Sequence, residues 1–209
     1  MVCDFLTVIS ALLIVACSSA IVHNVMQYCQ SHRAFAIGYF YFDFSDPEKQ
    51  RHENLVRSLI VQFSARASKV PEALETLYSQ NKDGQTQPST DALTAVLEII
   101  FQAFDQSFII IDALDECSDR QELLSFINGI IDWKVGKLHV LATSRKETDI
   151  SEVLDPLITE QISIQNGLVN ADIRLYIQER LRNDRKLKKW PEKIRMEIET
   201  TLMDGAHGM

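Results

Sequence analysis

Between Phe108 and Glu116 the chain reads FIIIDALDE, four apolar residues running directly into Asp112 and then into the acidic pair Asp115 and Glu116. An uninterrupted apolar run of strand length predicts a strand buried on both faces, as in a parallel sheet with helices on either side. Carboxylates at the end of such a strand are costly unless something cationic meets them. Ligands of open α/β sheets bind just beyond the carboxyl ends of the strands, so a hydrated Mg²⁺ beside a nucleotide phosphate is the first candidate for that cation. In physical terms this is the Walker B pattern.

The rest of the chain alternates helical and strand-like stretches. Helical spacing over 18–30 aligns Ile21, Val25 and Tyr28 or Cys29, with Ser18 or Ser19 placed to cap the start. The β-prone run AFAIGYFYFDF over 34–44 predicts a strand, closed by Asp46 and Pro47; Leu55, Leu59 and Phe63 then resume helical spacing. Residues 66–90 read as a surface connection with a helix in the middle, after which Ser89, Thr90 or Asp91 caps a helix that delivers the chain into Phe108. Beyond the acidic cluster, 119–133 is amphipathic, and Leu138–Thr143 is a second buried strand followed at once by Ser144 and Arg145. A last strand is expected over 159–164, a helix from Asn170 or Asp172, and another from Pro191. This order implies right-handed crossovers and a parallel sheet.

A chain of 209 residues is the size of one α/β domain with a small helical appendage. Its net charge of -8 argues against the phosphate attraction on which nucleic-acid binding rests, so no nucleic-acid partner is expected. The same acidity turns the aromatic run Phe35–Phe44 from a base-stacking platform into a core strand. The basic stretch from Arg182 to Lys189 reads as a solvated linker, and His23, with no second ligand one helical turn away, as a partly exposed helix histidine. Cys3, Cys17, Cys29 and Cys117 are scattered, which fits a reducing compartment and a cytoplasmic location.

From Phe5 to Val22 no residue is charged. A signal peptide would need a basic start, yet the only charge before Phe5 is Asp4. A membrane anchor reaches the required length only by including Cys17, Ser18, Ser19 and Ala20, so association with a membrane, if any, would run through residues 5–22. A buried strand followed by a helix start is the third reading.

Asp112, Ala113, Leu114, Asp115 and Glu116 resemble the extended Walker B box of NACHT domains, which belong to the STAND class of P-loop NTPases. In that family a small residue follows the Mg²⁺-associated aspartate and a second acidic residue lies two positions on, as Ala113 and Asp115 do. Thr143, Ser144 and Arg145 resemble the family's sensor 1. YFYFDFSDPEKQ and the closing IRMEIETTLMDGAHGM look like fungal NACHT proteins with ankyrin or similar repeats, also grouped with the nephrocystin-like N-terminal domain. The resemblance implies an α/β parallel-sheet P-loop NTPase fold with helices on both faces over 18–168, followed over 169–209 by the start of a helical domain, cut short. It further implies an ATP- or GTP-dependent conformational switch and protein partners met through NACHT oligomerisation. Asp112 would orient Mg²⁺ through water, Asp115 or Glu116 would polarise the attacking water, and Arg145 would sense the terminal phosphate.

One departure limits this expectation. The family's phosphate loop, GxxxxGK[ST], should precede the helix at Ser18, yet the first glycine is Gly38 and no lysine occurs before Lys49. Leu12, Leu13, Ile14, Val15, Ala16 and Cys17 stand in its place. Residues 1–17 are therefore expected to replace the first strand and the loop, leaving the fold incomplete at its N-terminus and nucleotide binding weak or absent. The alternative function is an interaction scaffold that pairs with full-length relatives, or a membrane-tethered fragment.

Overall fold

The computed structural model describes residues 5–10, 14–67, 72–133, 135, 137–163, 167–184 and 186–206. They form two compact units, residues 1–162 and 163–209. In the first, β1 (Phe5–Ser10), β2 (Phe35–Tyr41), β3 (Gln106–Asp112), β4 (Lys137–Thr143) and β5 (Glu160–Ser163, which runs one residue past it) alternate with helices. These are α1 (Ile14–Gln30), α2 (His52–Arg66), α3 (Glu72–Gln80), α4 (Thr90–Phe101), α5 (Arg120–Ile131) and α6 (Thr148–Leu154). The second unit holds α7 (Gly167–Asn183) and α8 (Glu192–Ala206), tied by Gln178 Nε2 donating to Glu199 Oε1 at 2.8 Å.

The strands lie in the order β2-β3-β4-β1-β5, and the pairs β2/β3, β3/β4 and β4/β1 are parallel. The uncharged N-terminal stretch supplies β1, with Phe5 opposite His139 and Ile9 opposite Thr143. Of the readings open for this stretch, the structure shows the strand followed by a helix; apolar residues with β-branched neighbours suit a strand between two others. The following helix starts at Ile14 rather than at Ser18, so Ser18 lies inside its second turn instead of capping it. Among the described residues no helix is long and apolar enough to cross a membrane.

Alternation along the strands assigns the two faces of the sheet. A Cβ built on Gly38 would lie 2.6 Å from Phe63 and 2.7 Å from Leu59, so this residue of β2 faces α2 at closest approach. Ile109 and Ile111 share that face and join Leu55, Leu59, Phe63, Leu97, Phe101 and Ile127 in one buried cluster. Each such side chain contributes about 1.5–3 kcal/mol by leaving water. Phe63 and Phe101 meet edge-on with centroids 4.3 Å apart. On the opposite face Phe108 contacts Tyr28 of α1, at 6.1 Å between centroids. Helices therefore cover both faces, and β3 is buried on both sides.

β2 is an outer strand of the sheet, and α2 closes its free edge. Gln62 Oε1 accepts from Tyr39 N at 3.1 Å while Gln62 Nε2 donates to Tyr39 O at 2.9 Å. Arg66 Nε adds a bond to Phe35 O at 3.1 Å. The aromatic run serves the core as expected, with Phe42 buried and Phe40 packed against the cluster, while Phe44 beyond the strand is 74% exposed. His23 is an exposed helix residue bonded to Gln27 at 2.9 Å.

Candidate functional site

Strand register determines where the acidic motif meets its neighbours. Ile111 pairs with Ala142, so the next residues, Asp112 and Thr143, lie side by side on the α1 face of the sheet. Thr143 Oγ1 donates to Asp112 Oδ1 at 2.7 Å. From α1, one turn beyond its first residue, the Ser18 hydroxyl donates to the same oxygen at 2.5 Å. All three are buried, at 3% exposure for Asp112, 1% for Thr143 and 0% for Ser18. Two hydroxyl donors thus meet the carboxylate that a buried strand end would otherwise leave without partners.

The chain leaves β3 through Ala113, whose φ of 58° and ψ of 56° place it in the left-handed region. An alanine there costs about 1 kcal/mol or more, and the turn is held by Ala113 N donating to Thr143 Oγ1 at 2.9 Å. Thr143 is therefore donor to Asp112 and acceptor from Ala113, linking the ends of β3 and β4. The short turn Leu114–Glu116 follows and carries the second acidic pair.

Asp115 and Glu116 point to different partners. Asp115 Oδ1 accepts from Arg145 N at 3.0 Å and from Ser144 Oγ at 3.4 Å, and Oδ2 lies 3.5 Å from Arg145 Nε. The Asp115 side chain is 9% exposed, whereas that of Arg145 is 61% exposed. Arg120 anchors the turn from α5, donating to Asp115 O at 2.8 Å and to both oxygens of Asp149. Glu116 Oε2 instead accepts from Phe44 N at 2.9 Å, fixing the loop after β2. Beside it, burial pushes the Cys117 thiol up to about 11, so it stays protonated.

The structure brings Asp112, Asp115 and Arg145 to the carboxyl ends of β3 and β4, in two adjacent hydrogen-bonded sets, and directs Glu116 to the loop after β2. Sequence reasoning did not give Ser18 and Thr143 their roles. Both were visible as residues, but their convergence on Asp112 depends on strand register and on the placement of α1, which no local pattern carries. For Ala113 the usual signal of a left-handed position, a glycine, is absent.

The donor set was tested against Mg²⁺ and a nucleotide triphosphate. β1 ends at Ser10 and α1 begins at Ile14. Neither the glycines nor the lysine of the loop GxxxxGK[ST] is in the sequence before or within α1. Asp112 Oδ1 is already engaged by two hydroxyls. The residues present thus lack the lysine and glycines that would hold the phosphates of a Mg²⁺-nucleotide.

Comparison with known proteins places this network in a family context. No curated protein matches the chain. Among solved structures, C. elegans PCH-2 is similar at 13% identity over 85% of this chain, with a TM-score of 0.30. The chain spans about half the length of that protein, 52%. The family model described as nephrocystin 3, N-terminal, matches residues 15–145, a span that includes Ser18, Asp112, Asp115, Thr143 and Arg145. With more than half of its length matched, this chain belongs to the nephrocystin 3 N-terminal family.

Proposed function

We propose that the chain is a NACHT-type module of STAND NTPase descent, of the fungal repeat-protein type, in which the Walker B carboxylate survives as a structural tie and Mg²⁺-nucleotide binding is weak or absent. The observation that carries this reading is the closure of Asp112 by Ser18 and Thr143, in a chain with no glycine before Gly38 and no lysine before Lys49. A phosphate cradle needs successive backbone N–H groups and a cation at a helix N-terminus. Here the oxygen nearest that helix already has its donors. Function then lies in protein contacts with NACHT-bearing relatives in the cytoplasm, and the carboxylate network keeps the ends of β3 and β4 in the shape such contacts require.

A second reading, a nucleotide-responsive switch, is favoured by Arg145. Its guanidinium is 61% exposed and sits 3.5 Å from Asp115, and an exposed ion pair of this kind stabilises by about 0–1 kcal/mol. It is therefore free to turn toward a phosphate. Calorimetric titration with Mg²⁺-ATP and Mg²⁺-GTP separates the two. No saturable heat at millimolar nucleotide supports the module without nucleotide. A dissociation constant of about 0.1 mM or tighter, weakened by Arg145→Ala, would establish the switch instead.

A further inference from the structure

Away from the carboxylate network, and sharing no residue with it, a cleft of about 520 Å³ opens between the start of α2, the start of α4 and one side of α5. That volume is within the range of small-ligand sites. Its polar rim includes Asp91 and Glu122, and its apolar wall includes Phe126 and Trp133. Among the described residues no lysine or arginine lines it, and neither carboxylate has an ion-pair partner. Asp91 and Glu122 stand in the first turns of their helices, where a carboxylate complements the helix dipole. That accounts for their presence and still leaves two carboxylates on the described lining with no cation beside them.

Two further observations point to a ligand. His52 forms part of the wall, and its Nε2 is buried with no hydrogen-bond partner among the described residues. Gly129 lies inside α5 on the cleft, and a Cβ built there meets nothing within 4 Å. Packing does not require this glycine, although glycine is the poorest helix former after proline. A molecule lying against that side of α5 would use the space.

We propose that this cleft binds a guanidinium carried on an apolar stem, with Asp91 and Glu122 meeting the charge and Trp133 and Phe126 the planar group and its stem. A guanidinium is favoured over an ammonium because it is planar, more weakly hydrated, stacks on aromatic rings, and offers several donors to a rim rich in acceptors. Thr94 and Ser125 supply further acceptors on that rim. Burial holds the His52 imidazole below the usual histidine range despite nearby Asp119, Glu122 and Glu53, and the neutral ring keeps one acceptor nitrogen.

The test uses Trp133 as reporter in the full chain carrying Trp190→Phe, since the chain has 2 tryptophans. Fluorescence is titrated with n-butylguanidinium and with its neutral isostere n-butylurea. An acetylated, amidated Ala-Arg-Ala peptide and its citrulline counterpart form the second arm. The expected result is a saturable change with a cationic probe at a dissociation constant of about 1 mM or tighter, weakened at least tenfold by Asp91→Asn with Glu122→Gln and absent with the neutral isosteres. Tighter binding of the arginine peptide than of butylguanidinium assigns the cation to a protein partner, and the reverse assigns it to a free metabolite. Gly129→Leu, which projects into open space, is expected to keep or raise the thermal midpoint and to abolish the response. Equal response to butylurea, full binding by the doubly neutralised variant, undiminished binding by folded Gly129→Leu, or no saturable change with either cationic probe overturns the proposal.

Discussion

Thr143→Val tests the claim that Asp112 is held by protein hydroxyls. Valine keeps the branched shape of threonine, so the perturbation is the loss of one hydroxyl. That hydroxyl donates to Asp112 Oδ1 at 2.7 Å and accepts from Ala113 N at 2.9 Å. A hydrogen bond to a buried carboxylate is worth about 1.5–3 kcal/mol, and leaving the Ala113 N–H unpaired costs about 1–3 kcal/mol more. Ser18 remains on Asp112 and moderates the first loss, so a total near 3 kcal/mol is expected, read as a lower urea midpoint with unchanged slope. Ser18→Ala removes the other donor and is expected to cost about 1.5–3 kcal/mol alone. The double variant should lose more than the sum by at least about 0.5 kcal/mol, because the two hydroxyls share one oxygen. The same curves are recorded with Mg²⁺-ATP, which at one hundred times a true dissociation constant would add about 2.7 kcal/mol. A loss below about 0.5 kcal/mol for Thr143→Val, within the spread of inert substitutions, or recovery of stability by Mg²⁺-ATP, would refute the reasoning.

Three further outcomes are expected. Gly38→Ala places a methyl 2.6 Å from Phe63 and 2.7 Å from Leu59 and should destabilise by about 1–3 kcal/mol in urea, with Gly38→Ala/Leu59→Ala recovering less than the sum of the two costs. The lowered His52 value means that the unfolded chain takes up a proton that the folded chain refuses as pH falls below 6.5. Stability should therefore drop on acidification through that value by up to about 1.4 kcal/mol per pH unit, a slope that His52→Gln removes. For Cys117, pushed up to about 11 from 9.0, the sign is opposite: its contribution is complete below pH 9.0 and disappears as pH rises toward 11, while iodoacetamide at neutral pH should label it only on unfolding.

Much of the architecture was legible in the sequence because its signals are periodic. The apolar run into Asp112 became β3, Leu138–Thr143 fell within β4, and Ser89 caps α4 by accepting from Ala92 N at 3.3 Å. Where two readings of one composition competed, periodicity could not decide. The uncharged stretch from Phe5 left a signal peptide, a membrane anchor and a buried strand with a helix start as readings, and the outcome depends on β4, more than a hundred residues away, offering a parallel partner. Ser18 looked like a cap because serine usually is one; here the helix starts a turn earlier and the hydroxyl turns to Asp112. α6 was not anticipated, since seven residues with only Ile150 and Leu154 buried carry too short a pattern. The candidate site was half legible: Asp112, Asp115 and Arg145 stood out as motif residues, while the tie through Ser18 and Thr143 is a property of the folded sheet.

The Gln62 amide on β2 bears on how this module can associate with anything else. By taking both the N–H and the C=O of Tyr39, it occupies the position a neighbouring strand would use. Arg66 does the same for Phe35 O. An outer strand of this kind is ordinarily a template for pairing with another chain. Here it is capped by side chains from its own covering helix, so growth of the sheet through β2 would first require two long side chains to withdraw. Association by strand addition is thereby suppressed along that edge, so any contact made there would be read through side chains, by shape and charge, instead of through backbone shared by every polypeptide.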